Sequence, residues 1–164
     1  MMTQKSLQEQ FVYSPVDGKL YRFQPDGTLR KVEGTKATGG HLKVRVNNKN
    51  VFYHRVVFLL IHGWLPKVLD HINCQPADNR VENLRPADSS SNGANRPIPK
   101  NNRSGFKGVV FRAKTKKWQA LIKHNMKPIH LGYFTSPIDA AKAYNDAAIK
   151  LFGQFANINK LEVA

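Results

Sequence analysis

Cysteine, acidic residues and long apolar runs are all scarce in this sequence of 164 residues. The single cysteine, Cys74, excludes an internal disulfide and every zinc site that needs paired cysteines, so any metal must be held by oxygen or imidazole ligands. No apolar run reaches the roughly 18 residues that indicate a membrane helix, and the polar N-terminus lacks the apolar segment of a secretory signal. These absences predict an intracellular protein without a membrane role.

Positive charge, in contrast, is in large excess. The chain has 26 Lys and Arg against 11 Asp and Glu, a formal net charge of +15. Residues 1–95 hold 13 cations against 8 acids, and residues 96–164 hold 13 against 3. A surface this basic attracts a polyanion and accelerates encounter with it, so nucleic acid is the predicted partner and the C-terminal part is the stronger binder.

The N-terminal half shows strand and turn signals followed by a short helix signal. Alternating apolar runs separated by Asp-Gly, Gly-Gly and Asn-Asn turns predict a small antiparallel sheet over residues 11–53. The run over residues 54–62, closed by Gly63, favours a buried helix, with a strand as the open alternative because several residues are β-branched.

The C-terminal part has the pattern of three strands followed by one helix. Strand-like runs cover residues 106–113, 118–124 and 129–134, and Ser136-Pro137 then begins an alanine-rich helix that ends before Gly153. Two prolines and several cations make residues 97–103 the best linker. We therefore predict an α+β chain with domains at 1–96 and 104–164.

A small set of residues has the composition of a phosphodiester-cleaving site. Hydrolysis needs a base that activates water and a cation that stabilises charge on the phosphate and the leaving oxygen. His71 is a candidate base, while Asp70 and Asn92 offer the hard oxygen ligands that suit one Mg²⁺ or Mn²⁺ ion.

The same region resembles the HNH homing endonucleases of phages. The resemblance rests on His54-Arg55-Val56, Gly63-Trp64-Leu65-Pro66, Asp70-His71-Ile72-Asn73, Asp78-Asn79-Arg80-Val81-Glu82-Asn83-Leu84-Arg85, Asn92 and Asn95. It implies a β-hairpin followed by a helix around one divalent ion, with His71 as general base, Asp70 and Asn92 as metal ligands and Asn83 fixing the hairpin. Many family members have histidine where this chain has Asn92, which disfavours tight Zn²⁺ binding at that position.

Several cations near this motif are candidates for contacts to DNA. We expect His54 to have a structural or phosphate-orienting role, with a contact to the metal shell as the alternative. Arg55, Arg80 and Arg85 are candidate phosphate clamps, and for Arg80 and Arg85 packing of the side-chain stems across the hairpin is an equal alternative.

The C-terminal part resembles the APETALA/ethylene-response-factor DNA-binding domain of plants. The matching segments are Ser104-Gly105-Phe106-Lys107-Gly108-Val109, Trp118-Gln119-Ala120, Leu131-Gly132-Tyr133-Phe134, Ala140-Ala141-Lys142-Ala143-Tyr144-Asn145 and Phe152-Gly153-Gln154-Phe155-Ala156-Asn157-Ile158-Asn159. The resemblance implies a three-stranded sheet that enters the major groove and packs on one helix. Val110 and Leu121 stand where the plant proteins usually carry charge.

Strand alternation independently assigns the two faces of this sheet. The helix-facing set is predicted to be Val109, Phe111, Ala120, Ile122, Ile129 and Leu131. The DNA-facing set is predicted to be Lys107, Arg112, Gln119, Lys123 and His130. Arg112 has the geometry for guanine and Gln119 for adenine, and phosphate contacts are the alternative.

Together these features predict a metal-dependent endonuclease that binds double-stranded DNA and cuts one strand per site. The rival interpretation is a DNA-binding regulator without enzymatic activity. We expect a monomer, with a dimer as the alternative, encoded by a phage or mobile element and acting in the host cytoplasm.

Overall fold

The computed structural model describes residues 2–161, so Met1 and the last three residues of the predicted second domain lie outside the description. The chain divides after Ala87 into two compact units, here called the N-terminal and the C-terminal unit. No helix within the described residues is long and apolar enough to cross a membrane. The predicted linker, residues 97–103, falls inside the C-terminal unit and has no helix or strand.

Residues 11–52 of the N-terminal unit form two small antiparallel sheets, where the sequence predicted one. The first sheet has the strands β1 (Phe11–Ser14), β2 (Lys19–Phe23) and β3 (Leu29–Val32), and the second has β4 (Thr35–Lys36), β5 (Leu42–Val46) and β6 (Lys49–Phe52). A short helix α1 (Gln4–Gln8) precedes them. The chain turns at Gly34, a left-handed glycine (φ 77°), between the last strand of the first sheet and the first strand of the second. The alternation of apolar residues in the sequence does not show this division.

Helix α2 (Tyr53–His62) forms the centre of the N-terminal core. Seven of its ten residues are buried, and Gly63 ends it in the left-handed conformation, which confirms the helix alternative for this segment. The Tyr53 hydroxyl donates to the Val32 carbonyl at 3.0 Å and accepts from the Leu20 amide at 2.5 Å. A single buried phenol therefore links the helix to two strands of the first sheet.

A two-stranded hairpin follows α2. Its strands are β7 (Val68–His71) and β8 (Leu84–Ala87), which pair antiparallel with Asp70 opposite Arg85 and His71 opposite Leu84. A 3-10 turn at Val81–Asn83 leads into β8.

In the C-terminal unit, a three-stranded sheet packs on one long helix, as predicted. The elements are α3 (Ser89–Ala94), β9 (Val109–Arg112), β10 (Lys117–His124), β11 (Lys127–Phe134) and α4 (Pro137–Phe152), with β10 as the central strand. The Ser136 side chain caps α4 by accepting from the Ile138 amide, with Pro137 in the first turn.

The helix-facing set of the sheet is correct on the central strand and wrong in part at the edges. Ala120 and Ile122 of β10 are 0% and 3% exposed. Phe111 and Ile129, which were also predicted to pack under the helix, are 49% and 37% exposed. They lie on the edge strands β9 and β11, where the cover provided by α4 ends; the Phe111 ring packs beside Trp118 instead.

Gly108 allows the loop before β9 to lie directly against α4. Its φ is 74°, and a β-carbon there would overlap the Tyr144 ring and the Leu121 carbonyl oxygen. Gly105 has the same left-handed backbone (φ 73°), but no atom of the residues that the structure describes lies within 4 Å of the position of a β-carbon there.

We predict that Gly108→Ala destabilises the C-terminal unit by about 2–5 kcal/mol, because it adds steric overlap to backbone strain. Gly105→Ala is the matched control and should cost only the strain, about 1–2 kcal/mol. Urea unfolding followed by Trp118 fluorescence in a Trp64→Phe background measures both. Equal losses in the two variants would show that the close approach to α4 is not the constraint.

Candidate active site

A buried ion pair lies at the centre of the hairpin. Asp70 and Arg85 face each other across β7 and β8, with side chains 6% and 13% exposed. The Arg85 Nε and Nη2 atoms both reach Asp70 Oδ2 at 2.9 Å. The charge of a buried carboxylate is tolerated here because a cation is held directly beside it.

The loop between the two strands is held by the side chain of Asn83. Its Oδ1 accepts from the Asn73 amide at 3.0 Å, while its Nδ2 donates to Asn73 Oδ1 at 3.0 Å and to the Asp78 carbonyl at 2.8 Å. Asp78 in turn accepts from Arg80, which lowers the pKa of the Asp78 carboxyl to about 2. Asn83 thus sets the course of the loop that follows His71.

His71 ends β7 with its imidazole 5% exposed. Its Nε2 lies 3.4 Å from Asn79 Oδ1. The Asn79 amide nitrogen donates to the Ala77 carbonyl at 3.1 Å, which leaves Oδ1 facing the histidine. An Oδ1 acceptor favours the tautomer of His71 that has its proton on Nε2 and its basic nitrogen at Nδ1.

Three imidazoles converge beside the hairpin, and we call His41, His54 and His71 the histidine cluster. His41 precedes β5, His54 is the second residue of α2, and His71 ends β7. One ring nitrogen from each lies within 4.8 Å of the others. The ring centroids are 4.9–5.5 Å apart, and Phe52 stacks on His54 at 5.5 Å.

Burial favours the uncharged form of these imidazoles. It lowers the pKa of His54 to about 3, with smaller effects of the same sign from His71 and His41. Burial also lowers the pKa of His41 and of His71, and for His71 the Asn79 hydrogen bond acts in the opposite direction. Neutral imidazoles have a lone pair available for a proton or a metal ion.

The other predicted residues near the motif lie in different surroundings. Arg55 donates to the Lys67 carbonyl at 3.5 Å, at the edge of an open cleft that His41 and His54 also line. Arg80 is half exposed and paired with Asp78. Asn92 lies on α3 in the C-terminal unit, partly buried.

In the C-terminal unit, three of the predicted DNA-facing residues are joined by hydrogen bonds. Arg112 Nε donates to Gln119 Oε1 at 2.6 Å, and Gln119 Nε2 lies 3.0 Å from His130 Nδ1. This polar row crosses all three strands on an open face, opposite the buried Ala120. Lys123 is also exposed, whereas the Lys107 ammonium is bound by the carbonyls of Ala94 and Arg96.

His41 is the member of the cluster that sequence reasoning missed. A pair of β-strands separates it from His54, and a helix separates His54 from His71. No regular spacing marks three residues that only the tertiary fold brings together. The Gly39-Gly40 turn before His41 was the one local sign that the backbone there is unusual.

A family model described as HNH endonuclease matches residues 51–94. The match begins in β6 and includes α2, the hairpin with Asp70, His71 and Asn83, and α3. The chain belongs to the HNH endonuclease family. The histidine cluster of this HNH protein thus has two members inside the matched residues, while His41 lies outside them.

Curated relatives fall into two groups. Protein 3.8 of Escherichia phage T7 is 31% identical over 81 residues, which are 45% of this chain and 67% of the phage protein. APETALA2-like protein 2 of Oryza sativa subsp. indica is 39% identical, and AP2-like ethylene-responsive transcription factor TOE2 of Arabidopsis thaliana 38% identical, each over 61 residues or 37% of this chain. The chain spans only 14% and 13% of the length of these two plant proteins. No solved structure matches the chain significantly.

We predict that the N-terminal unit loses stability as the pH falls below about 6.5. His54 of the unfolded chain is protonated from that pH downward, whereas burial lowers the pKa of His54 in the folded chain to about 3. The contribution of neutral His54 to the free energy of unfolding is complete above pH 6.5 and is lost as the pH falls toward 3. Between these values the free energy of unfolding changes by up to about 1.4 kcal/mol per pH unit because of His54.

Urea unfolding between pH 5 and 7 in EDTA, followed by Trp64 fluorescence in a Trp118→Phe background, measures this slope. His54→Gln should flatten the slope, and His62→Gln, at the exposed end of α2, should not. An unchanged slope in His54→Gln would contradict the assignment.

Proposed function

We propose that this protein is a divalent-metal-dependent DNA endonuclease that hydrolyses one strand of a duplex per site. The observation that carries the proposal is the Asp70-His71 pair, buried at the end of β7 within an HNH endonuclease domain. A carboxylate and a neutral imidazole on adjacent residues supply an oxygen ligand and a base in one place.

In this proposal His71 is the general base. The Asn79 contact on Nε2 favours Nδ1 as the nitrogen that takes a proton from water. The burial that lowers the pKa of His71 supports the role, because it favours the unprotonated imidazole that a base needs. Asn83 is a positioning residue that holds the loop beside the base.

Asp70 and Asn92 are the proposed ligands of one hard divalent ion. Asp70 offers a carboxylate and Asn92 an amide oxygen, which are ligand types that Mg²⁺ and Mn²⁺ prefer. When bound, one such ion would supply Lewis acidity that stabilises negative charge on the phosphate. Arg85 holds the Asp70 carboxylate in its orientation through Oδ2.

The C-terminal sheet is proposed to hold the duplex. The polar row of Arg112, Gln119 and His130, with Lys123, presents donors on one open face of a very basic segment. The similarity to APETALA2-like proteins supports this role. His54, Arg55, Arg80, Arg85 and Lys107 remain candidates for phosphate contacts, although Arg85 and Lys107 already hold partners within their own units.

The biological setting we infer is that of a homing endonuclease. The similarity to protein 3.8 of a T7 phage supports a phage or mobile-element origin, and hence action in the host cytoplasm. A chain with one HNH site cuts one strand as a monomer and needs a dimer or a second event for a double-strand break.

Cleavage of supercoiled DNA with Mg²⁺ or Mn²⁺ tests the proposal. We predict that His71→Ala lowers the nicking rate by about 10²–10⁴-fold, because the base is lost, while DNA affinity stays near that of the wild type. His62→Ala is the matched control and should cut normally. EDTA should stop the wild type. Wild-type protein that binds DNA without cutting it in either metal would favour the regulator instead.

We further predict that Arg112→Ala weakens duplex binding and lowers the slope of log affinity against log salt by about 0.9, since one phosphate contact is lost. If Arg112 reads a base, the variant should also lose about 1–3 kcal/mol of sequence discrimination. Lys150→Ala, which removes the same charge from α4, is the control. Fluorescence anisotropy across a salt series measures the affinity of each variant for duplex DNA. Equal losses in Arg112→Ala and Lys150→Ala would show that the DNA does not bind at the open face of the sheet.

A further inference from the structure

The histidine cluster contains buried polar atoms that find no partner among the described residues 2–161. His54 is 6% exposed, and within that range neither its Nδ1 nor that of His41 has a hydrogen-bond partner. Buried polar atoms are nearly always paired in native proteins, so two orphaned nitrogens in one cluster need an explanation. Packing of three rings for apolar contact alone would leave both nitrogens desolvated for no gain.

The geometry of the cluster is close to that of a metal site. Three nitrogens that all lie within 4.8 Å of one another share a point no more than about 2.8 Å from each, against about 2.0–2.1 Å for a zinc–imidazole bond. Side-chain rotations that move each ring nitrogen by less than about an ångström would bring all three to bonding distance. The three rings come from separate elements, so each can adjust without changing the others' backbone.

We propose that His41, His54 and His71 bind a transition-metal ion of the Zn²⁺ type, at a site distinct from the oxygen ligands Asp70 and Asn92. Imidazole suits Zn²⁺, Co²⁺, Ni²⁺ and Cu²⁺, whereas carboxylate and amide oxygens suit Mg²⁺ and Mn²⁺. Three histidines leave a fourth position for water, as in open zinc sites.

An ion can reach the cluster from solvent. His41 and His54 line an open cleft together with Phe52, Arg55 and Lys67. The two cations weaken the attraction for a dication, and the carboxylate of Asp70, next to His71 in sequence, opposes their effect.

Occupancy of this site has a consequence that rests on the proposed function. The ion takes the lone pair of His71 that a general base needs, so Zn²⁺ at the cluster suppresses Mg²⁺-supported cleavage. His41 contributes to the inhibitory site and has no part in the proposed hydrolysis, which makes the two roles separable by substitution.

Binding is tested on the full chain after EDTA treatment and desalting. Calorimetric titration with Zn²⁺ should show one site per chain, and Co²⁺ should give visible absorption of a nitrogen-ligated ion. His41→Gln should weaken Zn²⁺ binding at least about tenfold, because one of three ligands is lost, and His62→Gln should not change it. Circular dichroism verifies the fold of each variant, and His71→Gln provides a second ligand variant if His41→Gln unfolds.

The proposal is overturned if wild-type protein gives no nitrogen-ligated Co²⁺ spectrum, or if folded His41→Gln binds Zn²⁺ as the wild type does. For regulation, Zn²⁺ should inhibit Mg²⁺-supported nicking by the wild type and spare His41→Gln, and equal inhibition of both contradicts the regulatory role. A chain that binds Zn²⁺ through His41 but cuts no DNA overturns the proposed nuclease function and supports the metal site.

Discussion

A carboxylate that is almost completely buried imposes the main constraint on the N-terminal unit. Arg85 lies opposite Asp70 in the register of the hairpin and pairs with its carboxylate, and removal of either partner would leave an uncompensated charge in the core. The pairing of β7 with β8 therefore fixes more than a backbone ladder. The pairing also positions the residues next to the ion pair, and one of these is His71, which follows Asp70 in β7.

Ligands of two chemical classes lie next to each other along β7. Asp70 offers oxygen atoms. His71 lies beside two other imidazoles, those of His41 just before β5 and of His54 in α2. Hard ions prefer oxygen and zinc-like ions prefer nitrogen. Adjacent residues of β7 therefore carry side chains that suit different classes of metal ion.

Much of the fold could be predicted because local signals agreed with tertiary packing. The cap at Ser136, the first-turn Pro137 and the small residues of α4 all indicated one helix, and the structure has it at those bounds. Edge positions such as Phe111 could not be placed, since alternation tells which face a residue is on but not whether a helix extends over it. The role of His41 could not be predicted for a related reason. Its partners lie in distant segments of the chain, and no sequence periodicity connects them.

Helix α3 has consequences for how such proteins exchange parts. Residues 88–94 fall within the family match, yet they belong structurally to the C-terminal unit, where Ala94 packs with Ile122, Tyr144, Ala148 and Phe152. Joining residues 1–94 to a different C-terminal segment would keep the residues of the family match but remove the apolar side chains on which α3 packs. The new segment would have to supply an apolar surface of its own for α3.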